Sequence, residues 1–503
     1  MENRRRISAK WLLLVIPLAF IAWCAITMRP ARLEIGPETT YFDGPFTADG
    51  KIDYESALHV RLSADVKPED NAAVLLIQAF GPAAIAPELR SRYFSWIGTP
   101  QLPDRGEYVV SQTSYCQNKI QGAENPGELN TSIMEELSRA GTAPWTRVEC
   151  PRAAEWLDAN QGPLKLIIEA SQRSTYYSPT VAKEGLIEAQ LTVQNLREAA
   201  RLLVVRAMLR LGENDLDGAW SDLLACHRLS RLVGQNPQSI LTGLVGMALG
   251  AWAVSGDTVL LSKGLSADQA RKYQAEFAKL PSTGGFGKSL GLCERSIGLD
   301  ATLRQFGGQT VDVNVLLRRM NQTYDKLAAA MKLETFAARH EALTAIEATV
   351  VPAKPAQDLS AIPKLLLNYR QTITNSVSDL LLSLLMPAMS RINISETRSV
   401  VRDDQVKIGL ALAAFRAERG AWPKTLAELV PAYLDRVPLD QFTDKPFVYV
   451  PSDDGFVIYS VGPNGNDDAG ISRDRVGDDI PFQVHRNVDA TKTEPSPPAK
   501  AQE

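Results

Sequence analysis

Side chains that carry oxygen ligands are concentrated in one short stretch near the end of the chain. They include Asn464, Asn466, Asp467, Asp468, Asp478 and Asp479. Calcium in proteins prefers six to eight oxygen ligands, which carboxylates and backbone carbonyls can supply. The spacing is not that of an EF-hand, because Arg475 occupies the twelfth position counted from Asn464, where that loop has glutamate. A solvated turn is the alternative interpretation, since turns also require Gly, Asn and Asp.

A second stretch, residues 287–291, fits the G-x-S-x-G pattern of a nucleophilic serine. That turn follows an apolar strand, whereas here a capped helix ends at Leu280-Pro281 and Gly284-Gly285 come next. The overlapping residues 282–289 approach a phosphate-binding loop, but Ser282 replaces its first glycine. We therefore interpret residues 282–289 as a flexible linker between helices rather than as a hydrolase site.

Histidine and carboxylate spacing gives little further support for catalysis. The four histidines, at positions 59, 227, 340 and 485, do not pair at metal-ligand spacing. His227 follows Cys226 on an amphipathic helix, where a hydrogen-bonded helix residue is favoured over a Cys–His dyad. The adjacent carboxylates Asp403-Asp404 and Asp453-Asp454 are interpreted as solvated faces and turns.

Four cysteines follow the N-terminal apolar run: Cys116, Cys150, Cys226 and Cys293. An oxidising compartment would allow disulfides, for example between the first two and between the last two, but the sequence does not choose among the three connectivities. Free, buried cysteines that act as small hydrophobic residues are the alternative.

The elements that would position the Asp-rich stretch can be read in order. Residues 406–419 show the apolar spacing of a helix, and Gly420 ends it. Trp422-Pro423 follows, and further on residues 447–450 and 456–460 are β-branched and aromatic runs separated by a turn sequence. This pattern predicts a β-hairpin directly before the Asp-rich stretch.

Residues 396–480 resemble the major pseudopilin (protein G) of type II secretion in the order of these motifs. The apolar segment Leu380–Ile392, with Pro387 inside it, resembles the proline-kinked first helix of a pilin. The resemblance implies a pilin-like α+β module over residues 361–485. It also implies a calcium loop, to which we assign Asp467, Asp468, Asp478 and Asp479. The chain lacks the Gly, Phe and Glu of a prepilin processing site, so the resemblance is carried to the fold and the loop and not to a filament.

The N-terminus predicts a membrane anchor. Arg4, Arg5, Arg6 and Lys10 precede an uncharged run over residues 11–28. As a helix this run would be about 27 Å long, close to the thickness of a hydrocarbon core. The cationic residues keep the tail 1–10 cytoplasmic by the positive-inside rule and place the bulk of the chain in the periplasm. A cleaved signal peptide is the alternative, although Trp23 stands where a cleavage site would need a small residue.

Between anchor and module the sequence predicts a mostly helical body. Residues 29–182 form a mixed, helix-rich region. Its segment from 41 to about 105 resembles the opening of a large group of anchored bacterial envelope proteins without an assigned activity. Residues 183–360 carry helix patterns at 196–211, from 215, at 240–254, after Ser266 and at 313–332. Ser266 and Gln269 have the spacing of a capping box, which predicts the start of the fourth of these helices. The pair joined at residues 212–215 resembles a tetratricopeptide hairpin. The polar, proline-rich tail 486–503 is predicted to be disordered.

Together these observations predict a mostly α protein of the inner membrane, with one transmembrane helix, a partly tetratricopeptide-like body and a pilin-like module. The net charge is −4, so the sequence lacks the excess of basic residues that is typical of nucleic-acid-binding proteins. We expect a non-enzymatic interaction or scaffold role with envelope or secretion-system proteins. An envelope hydrolase with a site in the helical body is the alternative function. The module could also serve only as a folding cap for the body.

Overall fold

The computed structural model describes residues 31–183, 185, 193–282, 284–350, 369–473 and 477–485. The predicted cytoplasmic tail, the anchor over residues 11–28 and the C-terminal tail lie outside the described residues. Within them the chain is mostly helical, with a small antiparallel sheet near the C-terminal end, as the sequence predicts.

Short helices make up the described part of the N-terminal region. They are α1 (Tyr54–Ser63), α2 (Ala72–Phe80), α3 (Pro87–Ile97), α4 (Gln112–Ile120), α5 (Pro126–Ala140), α6 (Pro151–Ala159) and α7 (Gln161–Ser171). Asn71 caps α2, because its Oδ1 accepts a hydrogen bond from the Ala73 N–H at 3.1 Å. The same oxygen accepts from the Tyr177 N–H at 2.9 Å. One buried side chain thus ties α2 to the extended segment that leads into the body.

Longer helices follow in the body. They are α8 (Val193–Gly212), α9 (Leu216–Gln235), α10 (Ile240–Ser262), α11 (Ala267–Ala278), α12 (Phe286–Ser289), a π-helical turn (Leu290–Glu294), α13 (Arg295–Phe306), α14 (Val313–Ala330) and α15 (Phe336–Val350). The predicted helices are confirmed within a few residues, except that α10 continues eight residues beyond Val254. Ser266 and Gln269 form the predicted capping box at the start of α11.

The interpretation of residues 282–289 as a flexible linker is wrong for the end of that stretch, which is helical from Phe286. Gly285 has φ 149°, and a Cβ there would lie 2.3 Å from the backbone oxygen of Gln235. The glycine is therefore needed for close contact with the end of α9, and not for flexibility.

The cysteines match the alternative of free, buried side chains and not that of disulfides. Cys116, Cys150, Cys226 and Cys293 are all free and buried. The Cys226 thiol donates to the backbone oxygen of Leu249 at 3.4 Å, while His227 pairs with Asp257. The interpretation of His227 as a hydrogen-bonded helix residue is therefore confirmed.

A 51-residue helix, α16 (Tyr369–Arg419), contains Pro387 and leads into the sheet region. The strands are β1 (Leu439–Asp440), β2 (Lys445–Pro446), β3 (Val448–Ser452), β4 (Gly455–Ser460), β5 (Ser472–Arg473), β6 (Gly477–Asp478) and β7 (Ile480–His485). The predicted hairpin is confirmed, because β3 pairs antiparallel with β4 and Ser452 lies opposite Gly455. β7 pairs with the other edge of β4, which makes a three-stranded sheet in the order β3-β4-β7.

Asp403 and Asp404 on α16 are buried, so their interpretation as solvated is wrong. Arg231 of α9 pairs with Asp403 at 2.8 Å, and Lys407 pairs with Asp404 at 2.7 Å. Asp453 and Asp454 are exposed in the β3–β4 turn, as predicted.

One hydrophobic cluster joins the body to the sheet region. It contains Leu223 of α9, Leu261 of α10, Leu412 of α16 and Phe482 of β7. At the closest point a Cβ on Gly409 of α16 would lie 2.8 Å from the Phe482 ring and 3.1 Å from Leu261 Cδ1. The long helix thus lies between the sheet and α10, with little free space on either side.

Two described helices, α10 and α16, are long and apolar enough to cross a membrane by length and composition alone. Buried core helices of soluble proteins meet the same criterion. The most apolar window of α10 is 56% buried, and that of α16 is 33% buried. Within the segment Leu380–Ile392 one face of α16 packs into the protein, whereas Leu380 and Leu384 are 58% and 70% exposed.

Candidate metal centre

The Asp-rich loop begins where β4 ends, and a buried carboxylate fixes its base. Asp440 of β1 accepts hydrogen bonds from the Ser460 hydroxyl at 2.9 Å and from the Val461 N–H at 3.2 Å. Gly462 then turns the chain at φ 69°. A Cβ at Gly462 would lie 2.4 Å from the backbone oxygen of Asp478, so the loop passes directly over β6.

The structure brings three of the four proposed ligands together. Asp468, Asp478 and Asp479 each offer a carboxylate oxygen, and these oxygens lie within 4.8 Å of one another. Asp468 comes from the loop after β4, whereas Asp478 and Asp479 come from the end of β6 and the step into β7. A cation at this point would therefore join two separate segments of the loop.

Two carboxylate oxygens in this group lack a hydrogen-bond partner among the described residues. They are Oδ1 of Asp478 and Oδ1 of Asp479, and both atoms are buried. The second oxygen of Asp479 is held by the N–H groups of Gly470 at 2.7 Å and Asp468 at 3.1 Å. A buried carboxylate oxygen without a donor is costly, and a bound cation would remove that cost.

Burial raises the pKa of Asp479 to about 6, with a smaller contribution from the negative charges of Asp468 and Asp467. The two backbone N–H groups that donate to Asp479 oppose this increase. Without a cation, therefore, the carboxylates of the group repel one another in a partly dry site. A bound divalent cation would offset this repulsion.

The carboxylate of Asp467, the fourth proposed ligand, does not join the other three. Its Oδ1 accepts from the Tyr459 hydroxyl and from the Ala469 N–H, both at 2.9 Å. It therefore closes the loop against β4 and is not part of the three-carboxylate group.

The two asparagines of the loop shape it through local bonds. The Asn464 side-chain amide donates to Asp468 at 3.0 Å, and the Asn464 side-chain oxygen accepts from the Asn466 N–H at 2.6 Å. Sequence reasoning missed the supporting roles of Asp440 and Tyr459, because neither residue lies within the Asp-rich stretch. Asp440 precedes the β3–β4 hairpin and contacts residues 460 and 461 after it, and no local sequence pattern indicates this contact.

The arrangement fits calcium in part. Three carboxylates can supply three or more of the oxygen ligands that calcium prefers, and backbone carbonyls or water would supply the others. No nitrogen or sulfur ligand lies in the group, which disfavours zinc.

The alternative site, at Ser289, lacks the partner that a nucleophile requires. Ser289 is 2% exposed, and its hydroxyl has no hydrogen-bond partner among the described residues. A nucleophilic serine needs a base within hydrogen-bond distance. The geometry at Ser289 thus gives no support to a hydrolase mechanism through this residue.

Comparison of the chain with protein-family models, with curated proteins and with solved structures found no match.

Proposed function

We propose that the chain is a membrane-anchored protein of the cell envelope with a scaffold or interaction role, whose C-terminal module contains a structural calcium loop. The observation that carries the proposal is the convergence of Asp468, Asp478 and Asp479 on one point. They lie after a long helix and the β3–β4 hairpin and before β7. In the major pseudopilin family of type II secretion, which the module resembles, the matching loop binds calcium.

The proposed role of the ion is to hold the loop closed. Asp468 lies before the β5–β6 pair, whereas Asp478 is the last residue of β6 and Asp479 follows it. An ion that binds both sides would fix the path of the loop over β4 and the start of β7. The loop would then present a stable surface to an envelope or secretion-system protein.

The anchoring part of the proposal rests on residues 1–28, with their basic start and apolar run. In this arrangement the anchor holds the N-terminus in the cytoplasm, and the helical, partly tetratricopeptide-like body extends into the periplasm. A reporter enzyme that is active only in the periplasm, fused after His485, should be active in cells. The same reporter fused after Lys10 should be inactive, and the opposite pattern would contradict the topology.

The calcium loop is tested by thermal unfolding of the full chain in detergent, with calcium and with a chelator. Calcium at a hundred times its dissociation constant should stabilise the folded state by about 2.7 kcal/mol. Asp478→Asn combined with Asp468→Asn should abolish this increment, because it removes two charges from the three-carboxylate group.

Two controls make the test specific. Asp453→Asn changes an exposed carboxylate in the β3–β4 turn and should leave the calcium increment unchanged. Asp467→Asn alters the contact with Tyr459, so it should lower stability both with and without calcium while most of the increment remains. If wild-type protein melts identically with calcium and with chelator, the loop is an ordinary turn and the calcium proposal fails.

A further inference from the structure

A cleft of about 390 Å³ lies between the N-terminal region and the helical body. One side is formed by the end of α1 and by residues 174–177, and the other by residues 232–238 and by α12 with the π-helical turn. The close contact between Gly285 and Gln235 brings α12 next to residues 232–238. The cleft is separate from the Asp-rich loop, since none of its lining residues belongs to that loop.

The lining combines positive charge with apolar surface. Arg61 and Lys288 supply two positive charges and Asp65 one negative charge, which leaves one net positive charge. Lys288 is exposed, and its ammonium group lies 3.4 Å from the Asn236 side-chain oxygen, which is long for a hydrogen bond. The ammonium group is therefore available to an anion. Leu62, Leu232 and Leu292 provide apolar surface in the same cleft.

Two buried donors in the wall of the cleft lack an acceptor among the described residues. They are the Ser289 hydroxyl and the Gln238 side-chain nitrogen Nε2. The other end of the Gln238 amide is fixed, because its oxygen accepts from the Ser178 N–H at 3.3 Å. Ser296, one helix further on, donates to the Leu292 carbonyl at 2.7 Å in the usual way for a helical serine. Ser289 makes no such bond, so its hydroxyl remains able to donate.

Positive charge, unpaired donors and apolar surface in one cleft are the features that recognise an organic anion. We propose that this cleft binds a small organic anion, a carboxylate or a phosphate monoester with an apolar part. Arg61 and Lys288 attract the anionic group, Ser289 and Gln238 donate to it, and the leucines contact the apolar part. This site is independent of the calcium loop.

The test uses calorimetric titration of the full chain in detergent with three probes: benzoate, phenyl phosphate and inorganic phosphate. We expect benzoate or phenyl phosphate to bind more tightly than inorganic phosphate, because only the organic probes reach the apolar wall. The tighter of the two organic probes shows whether the natural ligand is a carboxylate or a phosphate ester.

Substitutions of residues in the cleft test whether the organic probe binds there. Lys288→Met should weaken binding of the organic probe by about tenfold, the loss expected for one charge-assisted hydrogen bond. Lys288 is exposed, so the variant should fold, and Ser289→Ala serves as a second, near-isosteric variant with a smaller loss. Lys279→Met, at an exposed position after α11, should bind like wild type.

Three results would overturn the proposal. The first is that no organic probe binds, and the second is that Lys288→Met and Lys279→Met bind equally well. The third is that inorganic phosphate binds as tightly as the tighter of the two organic probes, which would leave a simple anion site without recognition of an organic part.

Discussion

The Arg231 guanidinium of α9 lies 2.8 Å from Asp403 Oδ1 of α16, and the two side chains are only 3% and 10% exposed. The pair joins the helical body to the long helix that carries the sheet. Arg231 also donates from Nε to the Pro281 carbonyl at 3.0 Å, so it holds the segment after α11 as well. One buried cation thus connects three parts of the chain.

Asp403→Ala should destabilise the protein strongly, because it leaves the Arg231 charge buried without its partner. The expected cost is about 3–5 kcal/mol in the free energy of unfolding, measured by urea denaturation of the full chain in detergent. Lys272→Ala breaks the exposed Lys272–Asp217 pair, in which both side chains are 53% exposed, and should cost less than about 1 kcal/mol. Equal costs for the two variants would contradict a structural role for the buried pair.

Gly409→Ala tests the close packing of α16 between β7 and α10. The new Cβ would lie 2.8 Å from Phe482 Cε1 and 3.1 Å from Leu261 Cδ1, so these side chains must move. The matched control is Gly234→Ala, also in a helix, where a Cβ meets no atom within 4 Å. Alanine has a higher helix propensity than glycine at both positions, and the gain is larger at Gly409, in the helix interior, than at Gly234, next to the end of α9. Gly409→Ala should nevertheless be less stable than Gly234→Ala by about 1–3 kcal/mol in urea denaturation, and equal stabilities would show that the contact is loose.

Local signals in the sequence predicted much of this fold, and contacts between distant residues explain what they missed. Apolar spacing and the capping box at Ser266 predicted the body helices, and the turn residues between β3 and β4 predicted the hairpin. Asp403 looked solvated because its partner, Arg231, lies far away in the chain.

In the candidate site, too, local sequence signals predicted part of the arrangement, and contacts between distant residues determine the rest. The Asp-rich composition indicated a cation loop, but it could not show which carboxylates converge. That choice depends on Tyr459, whose hydroxyl holds Asp467, and on Gly462, which lets the loop pass over β6. Gly285 likewise looked like part of a flexible linker, although its lack of a side chain serves close contact with α9.

Glu55 gives the protein a pH-dependent contribution to stability. Burial raises the pKa of Glu55 to about 7, although Arg92 lies 3.0 Å away and opposes the increase. The native state therefore keeps a proton that the unfolded chain, with a pKa near 4.5, has lost. This contribution is complete below the unfolded pKa and is lost as the pH rises through about 7.

Glu55→Gln removes that titration. The melting temperature of the variant relative to wild type should therefore rise between pH 5 and pH 8, measured in chelator so that calcium does not contribute. Glu107→Gln, at an exposed position, provides the control for a general charge effect. A difference between Glu55→Gln and wild type that is the same at both pH values would rule out Glu55 as the source.

Deletion of residues 396–485 tests whether the pilin-like module is an independent domain or a cap on the body. Leu410 and Leu412 of α16 are at most 1% exposed, and they belong to the same hydrophobic cluster as the body helices. Removing them would expose the apolar surfaces of α10 and α11 to water. We therefore expect the deleted chain to aggregate in size-exclusion chromatography in detergent, whereas deletion of residues 486–503 alone should leave the elution profile unchanged. A folded, monodisperse chain without residues 396–485 would instead show that the body completes its own core, and that the module is free to act as a separate binding unit.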